Sequence, residues 1–221
     1  MKNTPTILST KLLSPSQKEL LLNAGVAYVE YNSIHTSAVA FTYDGELITN
    51  AIFTSKNAVK AVASAKLRIQ HCYCVGEKTR LALEELGFQV QLVADSASEL
   101  AKGIIEHYAD QAFHFFCGNI RRDELPHILQ EHNISITETV VYKTLANLKS
   151  FERQFDGVLF FSPSGVKSYV ASNYVEASRA FCIGPTTAAD AQWYTDHVII
   201  AKKPTIENVI VQVSKYFKNE L

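Results

Sequence analysis

Neither sign of charge dominates this chain of 221 residues: 21 Lys and Arg stand against 22 Asp and Glu, a formal net charge of −1. That balance offers no general attraction to nucleic acid or to an anionic membrane. The chain also lacks any apolar run of about 18 residues, the least that a membrane-spanning helix needs. The stretch from Met1 to Pro5 has none of the apolar character of a signal peptide. A soluble, cytoplasmic protein is expected. The familiar catalytic signatures are missing as well: no GxSxG elbow, no HExxH, no Walker loop and no GxGxxG dinucleotide turn. Cysteine is scarce, with Cys72, Cys74, Cys117 and Cys182 all in apolar, strand-like runs. Cys72 and Cys74 are two apart and share one face of a strand, which is not the spacing of a CxxC redox or zinc site. No histidine cluster completes a metal shell. The four read as small buried hydrophobes, and no metal or cofactor is expected.

What the sequence does contain is one pattern used twice. The segment Phe53-Thr54-Ser55-Lys56 returns as Phe160-Phe161-Ser162-Pro163, and Cys74-Val75-Gly76-Glu77 returns as Cys182-Ile183-Gly184-Pro185. Phe53 and Phe160, Ser55 and Ser162, and Lys60 and Lys167 are each 107 apart, while Cys74 and Cys182, Gly76 and Gly184, and Thr79 and Thr187 are each 108 apart. A repeat this long marks two domains rather than a solenoid, whose units are shorter. Hydrophobic content of 47% with 19% charged residues is enough for a core in each half.

Taken in order, the chain opens β-α-β. A strand at 6–10 is followed by a helix capped at Ser14 with Pro15 in its first turn and stopped by Gly25, then by a strand at 26–31 and a connection over 32–36. Strands at 39–42 and 46–54 begin a longer alternation of strands and helices that ends with a strand at 134–142. Strands at 158–161, 180–183 and 197–200, with helices between and after them, complete the chain. Alternation of this kind implies parallel sheet covered by helices on both faces. Three strands after residue 146 are too few for a domain, and the opening β-α-β is also incomplete. Joined, they make one. The expected fold is therefore α/β: two similar flavodoxin-like domains with parallel sheets, one inserted into the other, with a cleft between them. Domain one is 1–35 plus 146–221, domain two is 37–142, and linkers lie near 32–37 and 142–146.

In open parallel sheets, ligands bind beyond the carboxyl ends of the strands, where helix N-termini point. Ser55, Ser162, Ser164 and Gly165 lie in turns at that edge, as do Thr79, Thr186 and Thr187 beside their glycines. Free N–H groups and the helix dipole favour an anion at such turns. Each turn taken alone reads as an ordinary helix cap more readily than as a ligand site; recurrence at matching positions of both halves is what favours the site. Gly118 and Asn119 make a further turn, with Arg121 and Arg122 adding two guanidinium groups. Tyr142 sits where the inserted domain returns, so its phenol is a candidate proton or hydrogen-bond donor, with packing as the other reading. His114, within a strand, reads as a core or edge histidine.

These motifs resemble the uroporphyrinogen-III synthase family. The matching pieces are Phe53-Thr54-Ser55, Cys117-Gly118-Asn119 with Arg121, Val141-Tyr142-Lys143-Thr144, Phe160-Phe161-Ser162-Pro163-Ser164-Gly165 and Ile183-Gly184-Pro185-Thr186-Thr187-Ala188, in the family's order. The resemblance implies a cofactor-free lyase of tetrapyrrole (haem) biosynthesis acting on the small molecule hydroxymethylbilane; a monomer is expected because the cleft must open. The terminal hydroxyl leaves as water, the far end closes through a spiro intermediate, and ring D emerges inverted. It further implies Tyr142 assisting hydroxyl loss, with Ser55, Thr79, Asn119, Ser162, Ser164, Gly165, Thr186 and Thr187 binding substrate. Transient contact with the upstream deaminase is left open by it; nucleic acid and membrane are not among the expected partners. Many members carry proline after the first serine, where this chain has Lys56. The alternative from another class is a cytoplasmic two-domain binding or sensor module for a polyanionic small molecule, since hinged α/β pairs also clamp ligands without chemistry.

Overall fold

The computed structural model describes residues 4–43, 45 and 47–219. Residues 1–3 and 220–221 of the expected first domain, and Glu46 at the start of the expected strand over 46–54, lie outside the described residues.

The chain begins with β1 (Thr6–Ser9), α1 (Pro15–Asn23), β2 (Ala27–Glu30) and β3 (Ile34–Ala38). Next come β4 (Ile48–Phe53), α2 (Lys56–Ala63), β5 (Ile69–Val75), α3 (Glu77–Glu84), β6 (Val90–Ala94) and α4 (Ala97–His107). Then follow β7 (Phe113–Gly118), α5 (Glu124–Glu131), β8 (Ile136–Ala146), β9 (Gly157–Phe160) and α6 (Pro163–Val170). The chain finishes with β10 (Arg179–Cys182), α7 (Pro185–Ala191), β11 (Val198–Ile200) and α8 (Ile206–Asn219).

Local chemistry explains several boundaries. Ser14 and Gln17 cap α1 reciprocally, the serine hydroxyl taking the Gln17 amide hydrogen and the Gln17 side chain taking that of Ser14. Gly25, with φ of 72°, ends that helix in the left-handed region that glycine tolerates best. One expectation fails near the first chain crossing. The connection expected over 32–36 becomes β3 from Ile34, and the strand expected over 39–42 is loop. The run Ile-His-Thr-Ser-Ala has weak strand character of its own; it is a strand because it lies beside β8 in a sheet.

The chain divides into two compact units, Met1–His35 with Leu145–Leu221, and Thr36–Thr144. The first contains a five-stranded sheet in the order β11-β10-β9-β1-β2, all parallel. Counted along that unit's own chain the order is 2-1-3-4-5, as in flavodoxin-like folds. The second contains the order β3-β8-β7-β4-β5-β6, with β4 to β8 parallel. The two orders differ in count but coincide in space. Laying β9, β10 and β11 on β4, β5 and β6 lays β1 and β2 on β7 and β8. The units are one arrangement cut at two different points, a circular permutation, and the segment repeated 107 to 108 residues on is the part that the cut leaves contiguous in both.

Each sheet is covered on both faces, and the period-2 geometry of strands sorts the side chains. In the first unit Ile7, Leu159 and Phe181 pack with α1 and α8, while Leu8, Val158, Phe160, Ala180 and Cys182 pack with α6 and α7. In the second, Ala51, Phe53, Cys72 and Cys74 face α2 and α3, while Ile52, Tyr73 and Phe115 face α4 and α5. Cys72 and Cys74 do share a face, and all four thiols are buried. Desolvation pushes the Cys72 and Cys182 thiols up to about 12 and those of Cys74 and Cys117 up to about 11, which suppresses the reactive thiolate.

Candidate functional site

In the second unit, β5 and β6 lie on one side of β4, and β7 and β8 on the other. At such a reversal the connecting helices diverge to opposite faces, which opens a crevice beyond the carboxyl ends of the strands. A cavity of about 620 Å³ sits there. Its walls come from the residues that follow each strand: Thr54 and Ser55 after β4, Asp95 to Ser98 after β6, Ile120 to Arg122 after β7, and Tyr142 on β8.

Tyr142 reaches this position through an irregularity in the sheet. Cys117 pairs with Val140, but the next residue, Gly118, pairs with Tyr142 rather than Val141. The extra residue breaks strict alternation, so Tyr142 packs on the same side as Val141. Its ring crosses the bare α-carbon of Gly118, where an added Cβ would stand 2.5 Å from the ring carbon Cζ. Only glycine leaves that space. Asn119 holds the same strand end: its amide donates to the Tyr142 carbonyl at 3.1 Å, and its Oδ1 accepts from the Thr144 amide at 2.7 Å. The side-chain oxygen of Asn119, a residue expected to bind substrate, is thus bonded to the end of β8.

Ser55 is the N-cap of α2, its Oγ accepting from the Asn57 amide at 3.1 Å, and it lines the cavity. The N-terminus of α4 enters from the other side, with Ser96 capping the Glu99 amide at 3.1 Å. Two helix N-termini, of α2 and α4, present their dipoles to this space and favour a negative group. Arg121 is less available than its sequence position suggests. Its guanidinium is hydrogen-bonded to Glu138 (Nε to Oε2, 2.7 Å) and lies 3.1 Å from Asp123. Partial burial works against its charge, but the bond and charge of Glu138 outweigh that and hold its pKa above the ordinary value.

In the first unit the equivalent turn places Ser162 as the N-cap of α6, accepting from the Gly165 amide at 3.1 Å, with the Ser164 hydroxyl 3.1 Å away. Ser162 lines a smaller cavity of about 200 Å³. The repeat also aligns Thr79 with Thr187, in the first turns of α3 and α7. Both are buried, 5% and 3% exposed, so their side chains face the interior rather than either of these cavities. Thr186, beside Thr187, is on the exposed side. The expected residues therefore gather in two sets: Ser55, Tyr142 and the turn holding Asn119 in one unit, and Ser162, Ser164 and Gly165 in the other. Ser96 and Ser98, in the cavity wall, are not among the site residues expected from the sequence. The only signal was that they, too, follow a strand.

A family model described as uroporphyrinogen-III synthase HemD matches residues 17–210 of this chain. Among curated proteins, the porphyrin biosynthesis protein HemD of Ruminiclostridium josui is 29% identical over 154 residues, 62% of this chain. That match covers 30% of the relative's own length. Among solved structures, a uroporphyrinogen-III synthetase from Helicobacter pylori superposes with a TM-score of 0.76 at 20% identity, covering 96% of this chain and 99% of the other. A mutant uroporphyrinogen III synthase from the extremely thermophilic bacterium Thermus thermophilus gives a TM-score of 0.64 at 12% identity, covering 97% and 99%. At those identities the structures speak for the fold, and the match over residues 17–210 speaks for descent. The chain belongs to the uroporphyrinogen-III synthase family.

Proposed function

We propose that this chain converts hydroxymethylbilane to uroporphyrinogen III, expelling water and inverting ring D as it closes the macrocycle. The observation that carries this reading is Tyr142, brought by the irregular pairing opposite Gly118 to the wall of a cavity flanked by helix N-termini. The cavity volume lies in the range of about 300–1,000 Å³ typical of small-molecule sites. In this reading the Tyr142 hydroxyl donates a proton or hydrogen bond to the departing hydroxyl group. The C–O bond breaks, water leaves carrying the donated proton, and the substrate becomes an electrophilic azafulvenium cation. The far end of the bilane supplies the carbon nucleophile, so the protein needs none of its own. Its task is to fold a flexible chain and keep water from a reactive cation.

The substrate's acetate and propionate groups call for anion-favouring turns, and the Ser55 and Ser162 helix N-termini are assigned to them. Their hydroxyls already cap backbone amides, so carboxylates are received by remaining N–H groups and the dipole, with the serines setting the geometry. Asn119 is assigned to holding the Tyr142 strand, Thr186 to the exposed substrate-facing turn, and Thr79 and Thr187 to supporting their turns from inside. The enzyme is taken to act as a monomer; among the described residues no helix is long and apolar enough to cross a membrane.

The test is a coupled assay in which hydroxymethylbilane is generated enzymatically and the oxidised porphyrin isomers are separated. The bilane closes unaided to the type I isomer. Type III product rising in proportion to added protein is the expected result. Type I alone, from folded protein, would overturn the synthase reading and leave a binding module in its place.

A further inference from the structure

The smaller cavity of the first unit holds a feature that capping does not explain. Ser33 is 1% exposed, lines this cavity, and its hydroxyl has no hydrogen-bond partner among the described residues. A buried hydroxyl without a partner is destabilising, so its retention calls for an occupant that satisfies it. Its position is tightly set. The Ser33 amide donates to the Thr10 carbonyl at 3.0 Å, and its carbonyl accepts from the Asn147 amide at 2.8 Å and from the Ser168 hydroxyl.

The hydroxyl is one of three that crowd the α-carbon of Gly165. A Cβ placed on Gly165 would lie 3.2 Å from Ser33 Oγ, 3.3 Å from Ser162 Oγ and 3.7 Å from Thr10 Oγ1. Three hydroxyls therefore surround the space that this glycine leaves free, at the start of the eight-residue helix α6. Two of them are already engaged, Thr10 donating to the Leu159 carbonyl at 2.6 Å and Ser162 accepting from the Gly165 amide. Of the three, only the Ser33 hydroxyl has no hydrogen-bond partner among the described residues. Lys11 lines the same cavity, has no ion pair among the described residues, and no carboxylate lines the cavity with it. A cation, an unused hydroxyl donor and a helix N-terminus, in about 200 Å³, fit a small anion on an apolar stem.

We infer that this cavity is a carboxylate subsite, with the Ser33 hydroxyl as its inner hydrogen-bond donor and Lys11 as its counter-charge. Naming the occupant as a carboxylate arm of the bilane rests on the proposed function; the binding of a carboxylate does not.

The probe is propionate, titrated into the full chain and followed by amide NMR. Saturable shifts at Ser33, Ser164 and Gly165 are expected, with affinity falling about tenfold in Lys11→Gln and in Ser33→Ala, the scale of one charged hydrogen bond. Ser33→Ala should melt no lower than the parent, because the lost hydroxyl had no partner. In the isomer assay both variants should raise KM for hydroxymethylbilane about three- to tenfold, with kcat within about twofold. Absence of saturable shifts, or shifts unchanged in both variants, overturns the subsite. So does a stronger response to sulfate than to propionate. Propionate binding as described with no type III product would sink the synthase reading and leave the subsite standing. Type III product with no propionate response and no change in KM would do the reverse.

Discussion

Tyr142 and His114 show how differently two ring side chains on neighbouring strands can be used. Among the described residues the Tyr142 hydroxyl has no hydrogen-bond partner, which leaves it available to substrate at a cavity wall. Tyr142→Phe keeps the ring that packs over Gly118, so its melting temperature should stay close to that of the parent. Its kcat for type III product should fall at least about tenfold, toward the range of about 10²–10⁴ seen when a general acid is lost. Full activity would remove the acid role. His114, by contrast, is bonded through Nε2 to the Thr139 hydroxyl at 2.8 Å and lies edge-on to Tyr43. Burial lowers its pKa below the ordinary 6.5. The unfolded chain therefore takes up a proton as pH falls through about 6.5, while the folded chain resists until the lower value is reached. The stability held by the neutral ring is fully present above about pH 6.5 and is lost across that window on acidification. The urea midpoint should drop between about pH 7 and about pH 5.5, and His114→Asn should flatten that slope; an unchanged slope would place the proton uptake elsewhere. The role of His114 as a packed strand residue was legible from its apolar neighbours. The aim of Tyr142 was not, because it depends on pairing with a residue 24 positions earlier.

At the level of elements, the recurring serine before a helix serves in more than one way. Ser14 closes a capping box on α1, away from either cavity. Ser55 and Ser162 cap α2 and α6 where those helices meet cavity walls. Replacing any of the three by alanine removes a bond to an orphan amide and should cost about 1 kcal/mol in chemical denaturation. Only Ser55→Ala and Ser162→Ala should also raise KM in the isomer assay, by several-fold. Equal kinetic effects from Ser14→Ala would mean that helix stability, not site geometry, is being measured. The caps could be read in the sequence because a cap is a local device spanning a few residues. The pairing of Arg121 with Glu138 could not, since 17 residues and a strand pairing separate them. Nor could the inward turn of Thr79 and Thr187, which depends on how each helix is rolled onto its sheet.

On the scale of the whole molecule, the permuted units carry unequal burdens. The unit Thr36–Thr144 is contiguous, with both faces of its sheet covered by its own helices. The other needs β1 and β2 from the start of the chain to complete β9, β10 and β11 from its end. Its central strand β9 pairs with β1 on one side and β10 on the other. A fragment of 36–144 should therefore fold cooperatively on its own, whereas 145–221 alone should not, for it would expose Leu159 and Phe160 along a bare edge. Circular dichroism with thermal melting distinguishes the outcomes, and a cooperative transition from 145–221 would contradict this account.

The sequence by itself determined the α/β class, the double use of one motif, the burial of the cysteines and the serine caps. These follow from period-2 and helical patterning and from contacts a few residues long. Tertiary structure decided the rest: the permuted strand orders, the pairing that aims Tyr142, the engagement of Asn119 and Arg121, and the isolation of the Ser33 hydroxyl. Each depends on partners far apart in the chain, and in a parallel sheet such partners meet only after the crossover helices have brought them into register.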